Sequence, residues 1–190
     1  MANKVKYNLK NVHYAIATTG GYTTPVAISG AVNLTLDPQG DDYIFYADGI
    51  RYFEYHTNNG YSGTLEMALI PESFKTDVLK EVLESGNVFE VDDVQIVNFA
   101  LGFQIDGDEK DNLFWFYNCT ASRPSIAGQT KEENIEVQTE TLNISNAPDP
   151  RLPITVGNKN KYPTKVRNAS TSTTSAASWF SAVVIPPVIG

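Results

Sequence analysis

Two runs of strand-forming residues, Asp41–Ala47 and Ile50–His56, are separated only by Asp48-Gly49. A two-residue Asp-Gly link between such runs specifies a tight β-hairpin, because both turn positions need positive φ and these residues adopt it at least cost. Apolar side chains occupy both parities of this hairpin: Tyr43 and Phe45 against Ile44 and Tyr46, then Tyr52 against Phe53 and Tyr55. Successive side chains of a strand point to opposite faces, so both faces of the ribbon require cover. The surface of one small domain rarely supplies it.

The rest of the chain predicts a mainly β fold around this element. Asn11–Ala17 and Pro25–Ser29 read as strands flanking the turn Thr18-Thr19-Gly20-Gly21, and Ala31–Leu36 as a third, stopped at Asp37-Pro38-Gln39-Gly40. In Tyr61–Leu69, Tyr61, Leu65, Met67 and Leu69 share one parity and Ser62, Thr64 and Glu66 the other. Asn98–Ile105 places Phe99, Leu101, Phe103 and Ile105 on one face and Ala100, Gly102 and Gln104 on the other. An acidic turn, Asp106–Asn112, leads into a strand over Leu113–Thr120. Ile135–Ser145 reads as extended, and its apolar parity changes from Ile135 and Val137 to Leu142 and Ile144, which predicts a bulge or bend between them. One helix is expected over Glu72–Glu84, where Phe74, Val78, Leu79, Val82 and Leu83 fall at helical spacing, Pro71 suits the first turn and Gly86 the stop.

Charge divides the chain unevenly. Residues 1–150 hold 9 basic and 22 acidic residues, a net charge of -13, whereas residues 151–190 hold 5 basic residues and no acid. An acidic body repels phosphate, which argues against tight nucleic-acid binding. From Pro148 onward prolines interrupt the chain, and Ser170–Ser178 is nearly all Ser, Thr and Ala. The expected organisation is one β domain over residues 1–156 and a flexible C-terminal arm over 157–190, comprising a Ser/Thr-rich linker and an apolar end, Trp179–Gly190, suited to docking. Met1–Tyr14 lacks the apolar core of a signal peptide, and no apolar run approaches the length of a membrane span, so a soluble product made in a cytoplasm is expected.

The chemistry of catalysis is sparse. His13 and His56 both fall in predicted strands, the only cysteine is Cys119, and no glycine-rich phosphate loop is present. Asp106, Asp108, Glu109 and Asp111 are spaced somewhat like a calcium loop, but the sixth-position glycine and terminal glutamate are missing, so a solvated turn is the better reading. The glycosylation sequons at Asn33, Asn118, Asn143 and Asn168 read as chance matches. No enzyme activity, catalytic residue, metal site or cofactor is expected.

Three stretches resemble the major tail protein family of siphophages of Gram-positive bacteria. They are Val5-Lys6-Tyr7-Asn8-Leu9-Lys10-Asn11-Val12-His13-Tyr14, the aromatic hairpin with its Tyr61–Leu69 strand and following helix, and Tyr117–Ser125 with Glu136–Thr141. Together they span roughly the first 150 residues in order, while residues 157–190 match nothing in that family. The resemblance implies a β-sandwich or open barrel of the phage tail-tube type with one flanking α-helix, forming hexameric rings that stack into a tail tube, a conduit for DNA ejection. It implies a virion tail protein assembled in the host cytoplasm. Its partners would be other copies of itself and tail proteins such as the tape measure and tail terminator, with DNA passing through without specific binding.

If each of six subunits gave about four strands to a common barrel, spacing near 4.8 Å and a tilt near 40° would leave a bore of roughly 35 to 40 Å. That passes a duplex about 20 Å across. On this reading Tyr43, Ile44, Phe45, Tyr46, Tyr52, Phe53 and Tyr55 form an inter-subunit interface. Ala100, Gly102 and Gln104 face the lumen. Arg151, Lys159, Lys161, Lys165 and Arg167 belong to an arm that guides stacking onto a neighbour's acidic surface. The competing classes are a monomeric β-sandwich binding module, such as an adhesin or carbohydrate-binding domain, and, more remotely, a hydrolase with a carboxylate pair.

Overall fold

The structure, a computed structural model, describes residues 3–93, 95–130 and 137–187. It opens with β1 (Lys6–Thr18), β2 (Gly21–Tyr22), β3 (Val26–Ile28) and β4 (Ala31–Gln39). A first hairpin, β5 (Asp42–Ala47) and β6 (Ile50–His56), precedes β7 (Gly60–Met67), helix α1 (Glu72–Asp77) and a second hairpin, β8 (Val82–Glu84) and β9 (Asn87–Phe89). The later chain adds β10 (Phe99–Gly107), β11 (Asn112–Ala121), β12 (Glu140–Asn146) and a third hairpin, β13 (Ile154–Val156) and β14 (Lys159–Lys161). It closes with β15 (Lys165–Arg167) and α2 (Ala176–Trp179).

The protein is mainly β with antiparallel pairing. Its principal sheet has the order β2-β1-β10-β11-β12-β7-β4, with β3 also on β1 and β15 also on β11. β3 and β4 lie at opposite ends of that order yet are separated only by Ser29-Gly30. The chain itself thus ties the two ends and curls the sheet toward a barrel. The corner uses Gly30 at φ +89, a conformation that a side chain would strain, and the Gly30 carbonyl accepts a 2.7 Å bond from Ala68 N–H. β1 follows the curl through two register shifts, near Asn8 and Asn11, both of which have positive φ.

Inside the curl, Val12, Tyr14, Leu65, Met67, Phe99, Leu101, Phe116, Leu142 and Ile144 form the main core, and Ile70, Phe74, Val78 and Leu79 pack into it from α1 and its flanks. Phe74 meets Tyr14 and Phe99 edge to face, at 5.2 and 5.4 Å. Tyr14 Oη donates to Asp77 Oδ2 at 2.8 Å, tying the helix end to the sheet.

The expected helix over Glu72–Glu84 ends at Asp77. Val78 and Leu79 continue into the core, Lys80 turns the chain at φ 62, and Val82–Glu84 pairs with Asn87–Phe89 about Ser85-Gly86, both at positive φ. The apolar spacing was shared between helix and hairpin, and the β-branched Val82 with a Ser-Gly turn favoured the hairpin. Likewise Asp37 and Pro38 do not stop β4, which runs to Gln39; it is an edge strand, where proline's missing N–H costs no ladder bond. Ile135 and Glu136 lie outside the described residues. Val137 precedes β12, which begins at Glu140, so the parity change marks where pairing starts.

The largest departure concerns the C-terminal segment, expected as a flexible arm. β15 pairs with β11, and Trp179 and Phe180 are buried with Ala100, Leu113, Trp115, Tyr117 and Leu152 in a second core on the outer face of the sheet. Trp115 Nε1 donates to the Trp179 carbonyl at 3.2 Å, and Phe180 stacks on His13 at 4.6 Å. A short helix, α2, delivers them, with Ser175 Oγ accepting from Ser178 N–H at its start. The apolar content of Trp179–Phe180 and the open aromatic face of β11 satisfy each other within the same chain.

Candidate functional site

β4 and β7 pair up to Gln39 and Gly60, and β5 and β6 take up the pairing again at Asp42 and His56, after two intervening residues on one strand and three on the other, so the four strands form one long ribbon whose far half leaves the sheet. The joint is held by Thr57 N–H to Asp41 O at 3.0 Å, Asn59 N–H to Gln39 O at 2.8 Å and Asp41 N–H to Thr57 Oγ1 at 2.7 Å. A Cβ on Gly40 would sit 2.2 Å from the Thr57 carbonyl oxygen, so the two chains cross there at backbone distance.

Beyond the joint, the register sets Tyr43 opposite Tyr55 and Phe45 opposite Phe53 on one face. Tyr52 is the extra residue of a bulge between the Phe45–Phe53 and Tyr46–Arg51 pairs. Asp48 and Gly49 turn the tip at φ 52 and 74. The opposite face carries Ile44 and Tyr46 among charges: His56 Nδ1 donates to Asp42 Oδ1 at 2.5 Å, His56 Nε2 lies 3.1 Å from Glu54, and Arg51 pairs with Glu54. The Asp42 carboxylate raises the His56 pKa above its ordinary value. One face is therefore aromatic and the other mixed, a distinction that parity counting missed because the bulge shifts it.

All seven interface candidates, Tyr43, Ile44, Phe45, Tyr46, Tyr52, Phe53 and Tyr55, are exposed, from 39% for Ile44 to 70% for Tyr52. Ile50 at the tip is exposed as well, though the sequence reading did not single it out. A two-stranded ribbon with four uncovered rings on one face is marginal in water and exceeds the scattered apolar exposure of ordinary surfaces. The β8–β9 hairpin adds a second such surface, with Val82, Leu83, Val88 and Phe89 all exposed. Reading that segment as helix had hidden it.

The supposed lumen face does not face solvent. Ala100 and Gln104 are buried, and a Cβ on Gly102 would lie 2.6 Å from the Trp115 ring; Trp179 and Phe180 pack with Ala100 and Trp115 on this side of β10. Gln104 is the centre of a polar network. It accepts from Asn11 Nδ2 at 2.8 Å and donates to Asp106 at 2.9 Å and Asp111 at 2.7 Å. Burial pushes the Asp106 carboxyl up, yet bonds from Lys10, Asn8 and Gln104 together hold it below its ordinary value.

The acidic turn is engaged in the same way. Asp108 accepts from the Lys4 and Val5 backbone, Asn3 Oδ1 accepts from the Glu109 and Lys110 N–H groups, and Lys110 Nζ donates to the Ala169, Ser170 and Ser172 carbonyls. Three of its carboxylates, Asp106, Asp108 and Asp111, accept from the protein's own donors, and Asp106 and Asp111 share the Gln104 amide.

The basic residues of the stacking arm separate into two groups. Arg151 forms a bidentate pair with fully buried Asp149, both bonds at 2.8 Å, and lies 4.9 Å over the Tyr22 ring. Tyr22 Oη donates to Asp149 Oδ2 and accepts from Asn118 N–H at 2.9 Å. Burial alone would raise the Asp149 pKa; the Arg151 and Tyr22 bonds outweigh it and hold the carboxyl below its ordinary value. Lys165 lies over the Tyr61 ring at 4.4 Å and within the sheet. Arg151 is thus engaged within its own chain, whereas Lys165 remains exposed. Lys159 and Lys161 are likewise exposed on the β13–β14 hairpin, as is Arg167 on β15. Cys119 is buried, and desolvation pushes its thiol up to about 12, so it behaves as a small apolar residue.

No protein-family model matches the chain, and no curated protein matches it.

Proposed function

We propose that the chain is the subunit of a self-assembling tube of the major tail protein kind, whose copies join through the Asp42–His56 hairpin. On this reading they close into hexameric rings stacked as a conduit for DNA in a siphophage tail. The observation that carries the proposal is the aromatic face of Tyr43, Phe45, Phe53 and Tyr55, all four rings exposed on a ribbon that pairs with no other described strand. A second copy meeting it through a different surface gives a head-to-tail contact, which either closes into rings or grows as a filament.

With the outer face of β10 buried, the channel wall falls to the outer face of β4, β7 and β12. There cross-strand rows run Thr35–Thr64–Asn143 and Asp37–Ser62–Ser145, small and polar, without a basic residue. Such a surface sheds phosphate and lets a duplex slide.

The test replaces Tyr43, Phe45 and Phe53 together by Ser in the full chain. Sedimentation velocity and negative-stain microscopy at rising concentration should show rings or tubes for the natural sequence and a folded monomer for the variant. A natural chain that stays monomeric at every concentration would instead favour a binding module using these rings as its contact patch.

A further inference from the structure

Taking the self-assembling subunit as its premise, we propose a second contact between copies, separate from the aromatic hairpin: the basic β13–β14 hairpin of one copy docks on the acidic β8–β9 hairpin and following loop of the next. The β13–β14 register sets Val156 opposite Lys159 and Ile154 opposite Lys161, so both ammonium groups share a face with Val156, itself 58% exposed. The tip turns at Gly157 and Asn158, both at positive φ, and residues 154–162 contain no acid. Residues 81–93 are the complement. They hold five acids, Glu81, Glu84, Glu90, Asp92 and Asp93, and no base, around the exposed Val82, Leu83, Val88 and Phe89.

Among the described residues, only Glu90 of these acids has an ion-pair partner, Arg123, and neither Lys159 nor Lys161 has one. Among the described residues each hairpin is a two-stranded sheet joined to no other strand, a unit that gains stability from a neighbour. Opposite charge with apolar area on both sides gives register as well as attachment, and two different surfaces on one chain make the contact repeat from copy to copy.

The experiment compares the full chain with two charge-reversed variants, one carrying Lys159→Glu and Lys161→Glu, the other Glu81→Lys, Glu84→Lys and Asp92→Lys, which turns residues 81–93 from a net charge of -5 to +1. Circular dichroism and thermal unfolding first establish that both fold. By sedimentation velocity, each variant alone should need a roughly tenfold or greater concentration to assemble, since like charges then face each other. An equimolar mixture should assemble at the natural threshold, because each altered hairpin meets the altered partner. Assembly of either variant at the natural threshold, or failure of the mixture to recover, overturns this contact while leaving the tube reading in place. A natural chain that never assembles overturns both.

Discussion

At Gly102 the absence of a side chain lets the Trp115 ring lie against the β10 backbone, with no room for even a methyl group. Gly102→Ala should therefore cost about 1 to 3 kcal/mol through overpacking, measurable by chemical denaturation; a surface facing an open channel would accept alanine nearly without cost. Asp149 offers a second residue-level test. Its folded pKa is depressed, so its contribution to stability is complete above the unfolded value near 4 and is lost as pH falls through the folded value. Arg151→Met leaves that carboxylate buried without its partner and should destabilise by about 3 kcal/mol at neutral pH, while Asp149→Asn should flatten the acid limb of the stability profile. Both are read from unfolding curves between pH 3 and 7.

At the scale of elements, the three hairpins differ in what they expose. The β5–β6 ribbon leaves its aromatic face exposed, the β8–β9 hairpin exposes apolar side chains among acids, and the β13–β14 hairpin exposes two lysines. The first is held to the sheet at the Gly40–Thr57 crossing, so Gly40→Val should displace the ribbon and abolish assembly while thermal unfolding of the principal sheet shifts little. His56 reports on the same element. Its pKa is raised by Asp42, so the hairpin gains from the charged imidazole below about pH 6.5 and loses that gain as pH rises through the folded value. NMR titration should place His56 above His56 in an Asp42→Asn variant; equal values would show that the pair is not formed in solution.

For the whole molecule, the C-terminal segment decides how the sheet is used. Removing residues after Gly157 strips Trp179 and Phe180 from the face of Trp115 and Tyr117 and deletes β15 from the edge of β11. The truncated chain should unfold at lower denaturant and bind a hydrophobic dye, rather than merely stack less well. Trp179→Ala with the chain intact should cost about 3 to 5 kcal/mol. A truncation with unchanged stability would return this segment to the status of an arm.

Much of the β framework was legible in residue order because it rests on local rules. The period-two alternation of Phe99–Ile105 and Tyr61–Met67, and the Asp48-Gly49 turn, need only a pleated backbone and a twist-compatible corner. The exposure of the aromatic hairpin was legible for the same reason, since no alternation of its own could bury both sides. Tertiary structure alone decided what covers what. The small, polar second face of β10 suits a channel or a tight packing equally well, and only the return of Trp179 and Phe180 selects packing. Phe74–Leu83 satisfies helix and hairpin spacing alike until Val78 and Leu79 find the main core. Arg151 looked like a surface cation until Asp149 and Tyr22 enclosed it. In each case local sequence sets which faces are apolar, while the partner that buries a face comes from chain distant in sequence, and no local period encodes it.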